Sequence, residues 1–273
     1  MKLHRVLFLR KFVMPVLKKI SRDVEIQHPW VAEKTIKLNL FKHKGYWYHR
    51  KRREEQSMVL FKEIISSNSN IIEVGGHIGF VSILFDRING PSGKTYVFEP
   101  GSNNLPYIEQ NIGSSSRIKL IKKAVGNQQG TIDFFEDNLT GQNNSVVENF
   151  EGLKVNQSIA FVESKTKKVS VPITSLDAEL GNLKIDFIKI DIEGGEWPAL
   201  LGAQDLMSRQ KPALMVEILA NEDEIFTHLS NLNYVLFNDS KQILKSKNKL
   251  KGNIFCLHNE AHKELIDNLL PSF

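Results

Sequence analysis

The stretch Ile71-Ile72-Glu73-Val74-Gly75-Gly76-His77-Ile78-Gly79-Phe80 constrains this chain more than any other. An apolar, β-branched run ends in a carboxylate and a glycine-rich turn. Val81-Ser82-Ile83-Leu84-Phe85 then continues at helical spacing. A buried strand that turns at once into a helix is the opening unit of an α/β fold. The glycines do not fit the dinucleotide fingerprint G-x-G-x-x-G, which would need glycine at His77 and Phe80. They read E-x-G-x-x-x-G over Glu73, Gly75 and Gly79. Gly75 can let the chain approach a ligand closely, and Gly79 can let helix and sheet pack closely. Glu73 can hold an amino group, directly or through water. That suits a zwitterionic ligand lying across the turn; a tight βα turn with no ligand is the plain alternative.

Strand and helix then alternate, as in a mainly parallel sheet. A strand over 94–98 ends in Glu99-Pro100, and a helix covers 103–111. An acid at the end of a second strand is placed to accept hydrogen bonds from a ribose diol, or else caps the following helix. A third strand is expected over 118–125 and a short one over 131–135. The polar stretch 137–168 reads as a lid or substrate loop, and 169–173 resumes extended structure. The run Ile185-Asp186-Phe187-Ile188-Lys189-Ile190-Asp191-Ile192-Glu193-Gly194-Gly195-Glu196-Trp197 predicts a buried strand ending at Asp191, a turn, and a helix to about 207. A strand over 212–218, a helix over 221–231 and a closing antiparallel pair at 234–237 and 253–257 complete the sheet.

Charge divides the chain unevenly. Residues 1–53 carry 15 Lys/Arg against 3 Asp/Glu, and the other 220 carry 21 against 28. The basic part is therefore expected to be an appendage with its own partner, or a face turned toward anions. Residues 1–20 combine an apolar stripe at helical spacing with basic residues outside it. A helix packed on the catalytic domain is the plain reading, and a membrane-surface helix drawn to anionic lipid the sharper one. Charges interrupt every apolar run well short of a membrane span, and no signal-peptide pattern is seen. A lone cysteine, Cys256 in an apolar run, reads as a buried strand residue in a reducing compartment. The expected location is cytoplasmic, and peripheral contact at the inner face of the membrane goes with the membrane-surface reading of residues 1–20 only.

The segments IIEVGGHIGFVSILF, YVFEPGSNNLPYIEQNI, KKAVG, ITSLDAEL, DFIKIDIEGGEWPALLGA and PALMVEI, in this order over about 70–220, resemble the FkbM family of S-adenosylmethionine-dependent methyltransferases. This chain has Glu73 and His77 where the family usually has Asp and Asn. The resemblance implies an α/β, Rossmann-like, seven-stranded class I methyltransferase sheet with helices on both faces. A basic N-terminal helical appendage (1–55) would precede the catalytic domain (56–273). S-adenosylmethionine is the implied cofactor, which also suits the zwitterionic site at the first turn. Its contacts are expected at Glu73, Gly75, Gly76, His77, Gly79, Glu99, Asn104, Ala124, Val125 and Asp191, with Glu99 on the ribose and Ala124-Val125 near the adenine. Asp191, near the methionine end, and Glu193, facing the acceptor, are the catalytic candidates; Glu196 reads as a first-turn acid favoured by the helix dipole.

Methyl transfer is an in-line displacement from an activated cofactor, so alignment does most of the work and a hydroxyl acceptor needs a base. The leading expectation is O-methylation of a sugar, glycan or other small hydroxylated acceptor, without nucleic acid. Asp191 and Glu217 would permit Mg²⁺, but the sequence supplies no obvious third ligand, so no metal is expected. A nicotinamide-dependent oxidoreductase lacks both the glycine pattern and a Tyr-x-x-x-Lys pair. A cofactor-binding module without turnover is the other alternative, motivated by Glu73 and His77. Oligomeric state stays open. Gly75→Val is expected to abolish cofactor binding in a folded protein.

Overall fold

The computed structural model describes residues 7–113, 115–148, 166–247 and 250–270. Its first elements are α1 (Leu7–Lys19), which contains Pro15, a hairpin of β1 (Asp23–Gln27) and β2 (Thr35–Asn39), and the short α2 (Lys44–His49). The hairpin is absent from the sequence expectation. It pairs Val24 with Leu38 and Ile26 with Ile36, burying one side of β2. Charge changes near residue 55, but packing does not. Val31, Ile36, Leu38 and Tyr46 lie in the same buried cluster as Ile71, Phe80 and Ile83. Asn111 also ties β2 down, accepting from the Lys37 amide at 2.7 Å and donating to its carbonyl at 3.0 Å.

After α3 (Glu55–Ile64) come β3 (Asn70–Val74), α4 (Phe80–Ile88), β4 (Lys94–Phe98), α5 (Leu105–Ile112) and β5 (Ile118–Ile121). The expected strand over 118–125 ends early, at a tight turn in which the Lys123 amide donates to the Ile121 carbonyl at 2.9 Å. Its remainder, β6 (Ala124–Val125), joins a second sheet of three strands with β7 (Gly130–Asp137) and β8 (Thr166–Thr174), in the order β6-β8-β7. Part of the expected lid, 149–165, lies outside the described residues.

The chain continues through α6 (Leu176–Leu180), β9 (Phe187–Ile190), α7 (Glu196–Leu201), α8 (Gln204–Gln210), β10 (Ala213–Ile218), α9 (Glu222–Asn231), β11 (Tyr234–Asn238), β12 (Gly252–His258) and α10 (Lys263–Leu269). The single helix expected to 207 is two, broken at Gly202-Ala203. A side chain at Gly202 would meet the Gly126 carbonyl at 2.0 Å, so the chain passes hard against the second sheet there.

The main sheet has seven strands in the order β11-β12-β10-β9-β3-β4-β5. Strands β10, β9, β3, β4 and β5 are parallel, and β12 runs antiparallel to both β10 and β11. Alternate residues feed two cores. Ile71, Val97, Phe187 and Met215 face one, while Ile72, Tyr96, Ile188 and Leu214 face the other. Chain order reverses between β3 and β9, and in open α/β sheets the crevice beyond the carboxyl ends at such a point receives the ligand.

Candidate active site

A cavity of about 230 Å³ opens at that reversal. Its floor is the pair of turns after β3 and β9. The Asp191 amide donates to the Val74 carbonyl at 3.1 Å, and a side chain on Gly75 (φ +91°) would lie 1.9 Å from the Asp191 carbonyl oxygen. Gly75 is thus required by the joint between two strands as well as by a ligand. The expectation of a folded Gly75→Val variant gives way: that change strikes backbone, and the sheet must yield.

Of the sequence-predicted contacts, Gly75, His77, Glu99, Asn104, Ala124, Val125, Asp191 and Glu193 line the cavity. Glu73, Gly76 and Gly79 are not among its lining residues. Strand alternation explains the first: Val74 ends β3 and faces the cavity, while Glu73 turns toward α4. There its carboxylate accepts from the Ser82 hydroxyl at 2.5 Å, and burial raises its pKa to about 7. The two glycines serve packing. A side chain at Gly76 would press on Val97 and Ile108, and one at Gly79 (φ +83°) on Ile112 and Ile108.

The cavity has three chemical regions. Ala124, Val125, Phe134 and Val146 form an apolar end. Glu99 and Asn104 form a hydrogen-bonding shelf. The Glu99 carboxylate accepts from the amides of His77 and Gly101, both at 2.8 Å, and from Asn104 Nδ2 at 3.3 Å. Burial still lifts its pKa to about 7. Asn104 also donates to the Gly141 carbonyl at 3.0 Å, yet its own Oδ1 is buried without a partner among the described residues. An orphaned acceptor on a cavity wall is a place for a hydroxyl or amino donor from a ligand.

The third region is charged. Carboxylate oxygens of Asp191, Glu193 and Glu217 lie within 4.8 Å of one another, so Glu193, read from the sequence as facing the acceptor, also stands as a third carboxylate beside Asp191 and Glu217. Lys189, 2 % exposed, reaches Asp191 Oδ2 at 2.9 Å and keeps Asp191 ionised against the cost of burial. The Asp191 charge, with burial, holds the proton on Glu217. Glu193 stands in the left-handed turn after β9 (φ 57°), where burial and the Asp191 charge raise its pKa to about 8. Glu196 braces that turn by accepting from the Gly194 amide at 2.9 Å.

Sequence reasoning did not place Lys189, Tyr46, Arg53 or Asn253 at the site. A lysine inside the apolar strand Phe187-Ile188-Lys189-Ile190 was a readable sign, because buried lysine needs a buried acid. Tyr46 and Arg53 belong to the stretch 45–53, where aromatics beside cations read either as a stacking and phosphate-holding surface or, by preference, as packing with a solvated cationic end. The Arg53 guanidinium stacks 4.4 Å from the Tyr46 ring centre and pairs with Glu54 at 3.1 Å. The Tyr46 hydroxyl lies 2.9 Å from His77 Nδ1. Burial drives the His77 pKa well down, so its ring is neutral. Its Nε2 is buried beside the Thr140 carbonyl, short of hydrogen-bond geometry.

One wall is the loop 137–144. Asp137 accepts from the Leu139 amide at 2.7 Å and the Thr140 hydroxyl at 2.5 Å, and Asn144 donates to Asn103 at 2.7 Å. Ser145 donates to the Glu193 carbonyl at 2.7 Å, tying this loop to the turn after β9.

Seven strands in this order, with a reversed closing hairpin and a ligand cavity at the first turn, define a Rossmann-like class I methyltransferase. The chain belongs to the methyltransferase FkbM domain family, whose profile matches residues 73–251. It is therefore an S-adenosylmethionine-dependent methyltransferase, and the apolar end, hydroxyl-binding shelf and charged end fit that cofactor's adenine, ribose and zwitterion in kind.

Among relatives, the 2-O-methyltransferase NoeI of Sinorhizobium fredii is 23% identical over 173 residues, 59% of this chain and 69% of that protein. The structure of an FkbM methyltransferase from Methylobacillus flagellatus is 15% identical with a TM-score of 0.47. The match covers 70% of this chain and 44% of that one, so this chain spans less than half of that relative. Aeropyrum pernix fibrillarin, solved with S-adenosyl-L-methionine, is 10% identical with a TM-score of 0.43, over 74% of this chain and 73% of that one.

Proposed function

We propose that the chain methylates a hydroxyl of a sugar, glycan or other small hydroxylated acceptor. The observation that carries this reading is Glu193, a cavity carboxyl whose pKa is raised to about 8 beside an ionised Asp191. A carboxylate at its ordinary ~4.3 is too weak to take a hydroxyl proton, and one tuned near the working pH is suited to it. The bound cofactor supplies an activated methyl group. Glu99, Asn104, Ala124 and Val125 would hold its adenosyl part. Lys189 holds Asp191 in its charged form, Glu217 offers a hydrogen bond, and Glu193 accepts the acceptor's proton. Gln142, Asn143 and Asn253 line the wall with amides that can hydrogen-bond hydroxyls, and Tyr46 adds an aromatic ring that suits the apolar face of a sugar. The 2-O-methyltransferase NoeI, a distant relative, supports a hydroxyl as the acceptor.

The test is transfer of isotope-labelled methyl from S-adenosylmethionine to a panel of mono- and oligosaccharides, with the product linkage read by NMR. O-methylation that Glu193→Gln suppresses agrees with the proposal. Methylation at nitrogen only, or full activity in the variant, contradicts it.

A further inference from the structure

The helix α1 has two apolar faces, and the fold uses one. Met14 and Leu17 turn inward onto Phe41 and Leu139. Val13, Val16 and Ile20, at spacings of three and four, remain 44%, 59% and 62% exposed. A helix that only packs on its own domain needs one apolar stripe, with polar residues opposite. Here the face away from the protein is apolar as well, and exposed Lys18, Lys19 and Arg22 border its carboxyl end. No described helix is long and apolar enough to cross a membrane.

Charge decides what covers it. The first 22 residues hold seven Lys/Arg and no Asp/Glu. A second copy docking through the same face would bring two such clusters together, which electrostatics opposes. An anionic bilayer offers both missing partners: headgroups for the cations, and acyl chains at the depth reached by a helix lying in the interface. We propose that the outer face of α1 docks the protein on the surface of an anionic lipid membrane. The inner face keeps its hold on Leu139, in the loop that walls the cavity, so the docked helix and the site stay joined through a packed contact.

Flotation of the full chain with phosphatidylcholine vesicles, with and without phosphatidylglycerol, tests this. The protein should float with the anionic vesicles, not with pure phosphatidylcholine, and added salt should weaken the association. Val16→Glu with Ile20→Glu, and separately Lys18→Glu with Lys19→Glu, should each lower the bound fraction by roughly tenfold or more. Neither pair touches the cavity, so S-adenosylhomocysteine affinity should stay at the parent value and serves as the check on folding. Failure to float with anionic vesicles, or flotation unaffected by Val16→Glu with Ile20→Glu, overturns the proposal. So does a dimer in light scattering that the same pair dissociates, since that names a second copy as the occupant.

Discussion

Glu193 and Lys189 are two residues whose burial has opposite meanings. Lys189 sits in the floor of the sheet, where a lone ammonium would be costly. Its position is stable because Asp191 lies 2.9 Å away. Removing one partner of a buried pair costs about 3–5 kcal/mol, because the other charge stays behind. Lys189→Met should therefore lower stability to urea by that amount, and adding Asp191→Asn should restore much of it; additive losses would show that the two do not act as a pair. Among the described residues Glu193 has no ion pair, and burial with the Asp191 charge outweighs the Arg53 charge and raises its pKa from 4.5 to about 8. The folded chain thus keeps a proton that the unfolded chain releases. The Glu193 contribution to stability falls as pH climbs from about 4.5 toward 8. Glu193→Gln should flatten that part of the profile, and identical melting-temperature profiles for variant and parent would contradict the assignment. The same titration should govern rate in the opposite direction. Transfer should increase with pH through about 8, and Glu193→Gln should lose roughly 10²-fold or more in kcat while binding S-adenosylhomocysteine with little change.

At the scale of elements, the decisive joint is between the ends of β3 and β9. Strands in this fold are read easily because they are buried on both faces. The seven strands of the sheet are legible as apolar runs, and the acids after β4 and β9 mark the ligand end. Side-chain direction within β3 was harder to read. Glu73 and Val74 both lie next to the glycine turn, and only the pleat decides that Val74 faces the cavity. The break at Gly202-Ala203 was hidden because the groups that meet it, the Gly126 carbonyl and the Asp177 amide, are distant in sequence. The same applies to Gly75, whose constraint is the Asp191 carbonyl. Gly75→Ala should lower stability by at least about 1–3 kcal/mol, the usual cost of forcing atoms into a packed site. A variant as stable as the parent in urea would show that the joint is loose.

For the whole molecule, composition suggested a break near residue 55 that packing does not respect. Net charge reports the surface, and the residues that join the N-terminal region to the sheet are the apolar ones buried between them. Val31, Ile36, Leu38 and Tyr46 close one face of the sheet, while Tyr46 and Arg53 line the cavity. A fragment starting at residue 55 should expose that face, bind a hydrophobic dye and lose its cooperative urea transition. A fragment that unfolds as sharply as the full chain would contradict this. The family motifs, by contrast, carried the fold and the cofactor because they lie where the sheet reverses.

The central claim is that this reversal point holds S-adenosylmethionine with the charged trio beyond its reacting end. A crystal structure with S-adenosylhomocysteine tests it most directly. Adenine is expected against Ala124 and Val125, ribose hydroxyls within hydrogen-bond reach of Glu99 and Asn104, and the sulfur toward Asp191 and Glu193. Density for the nucleoside elsewhere, or with its sulfur turned away from those carboxylates, would contradict it.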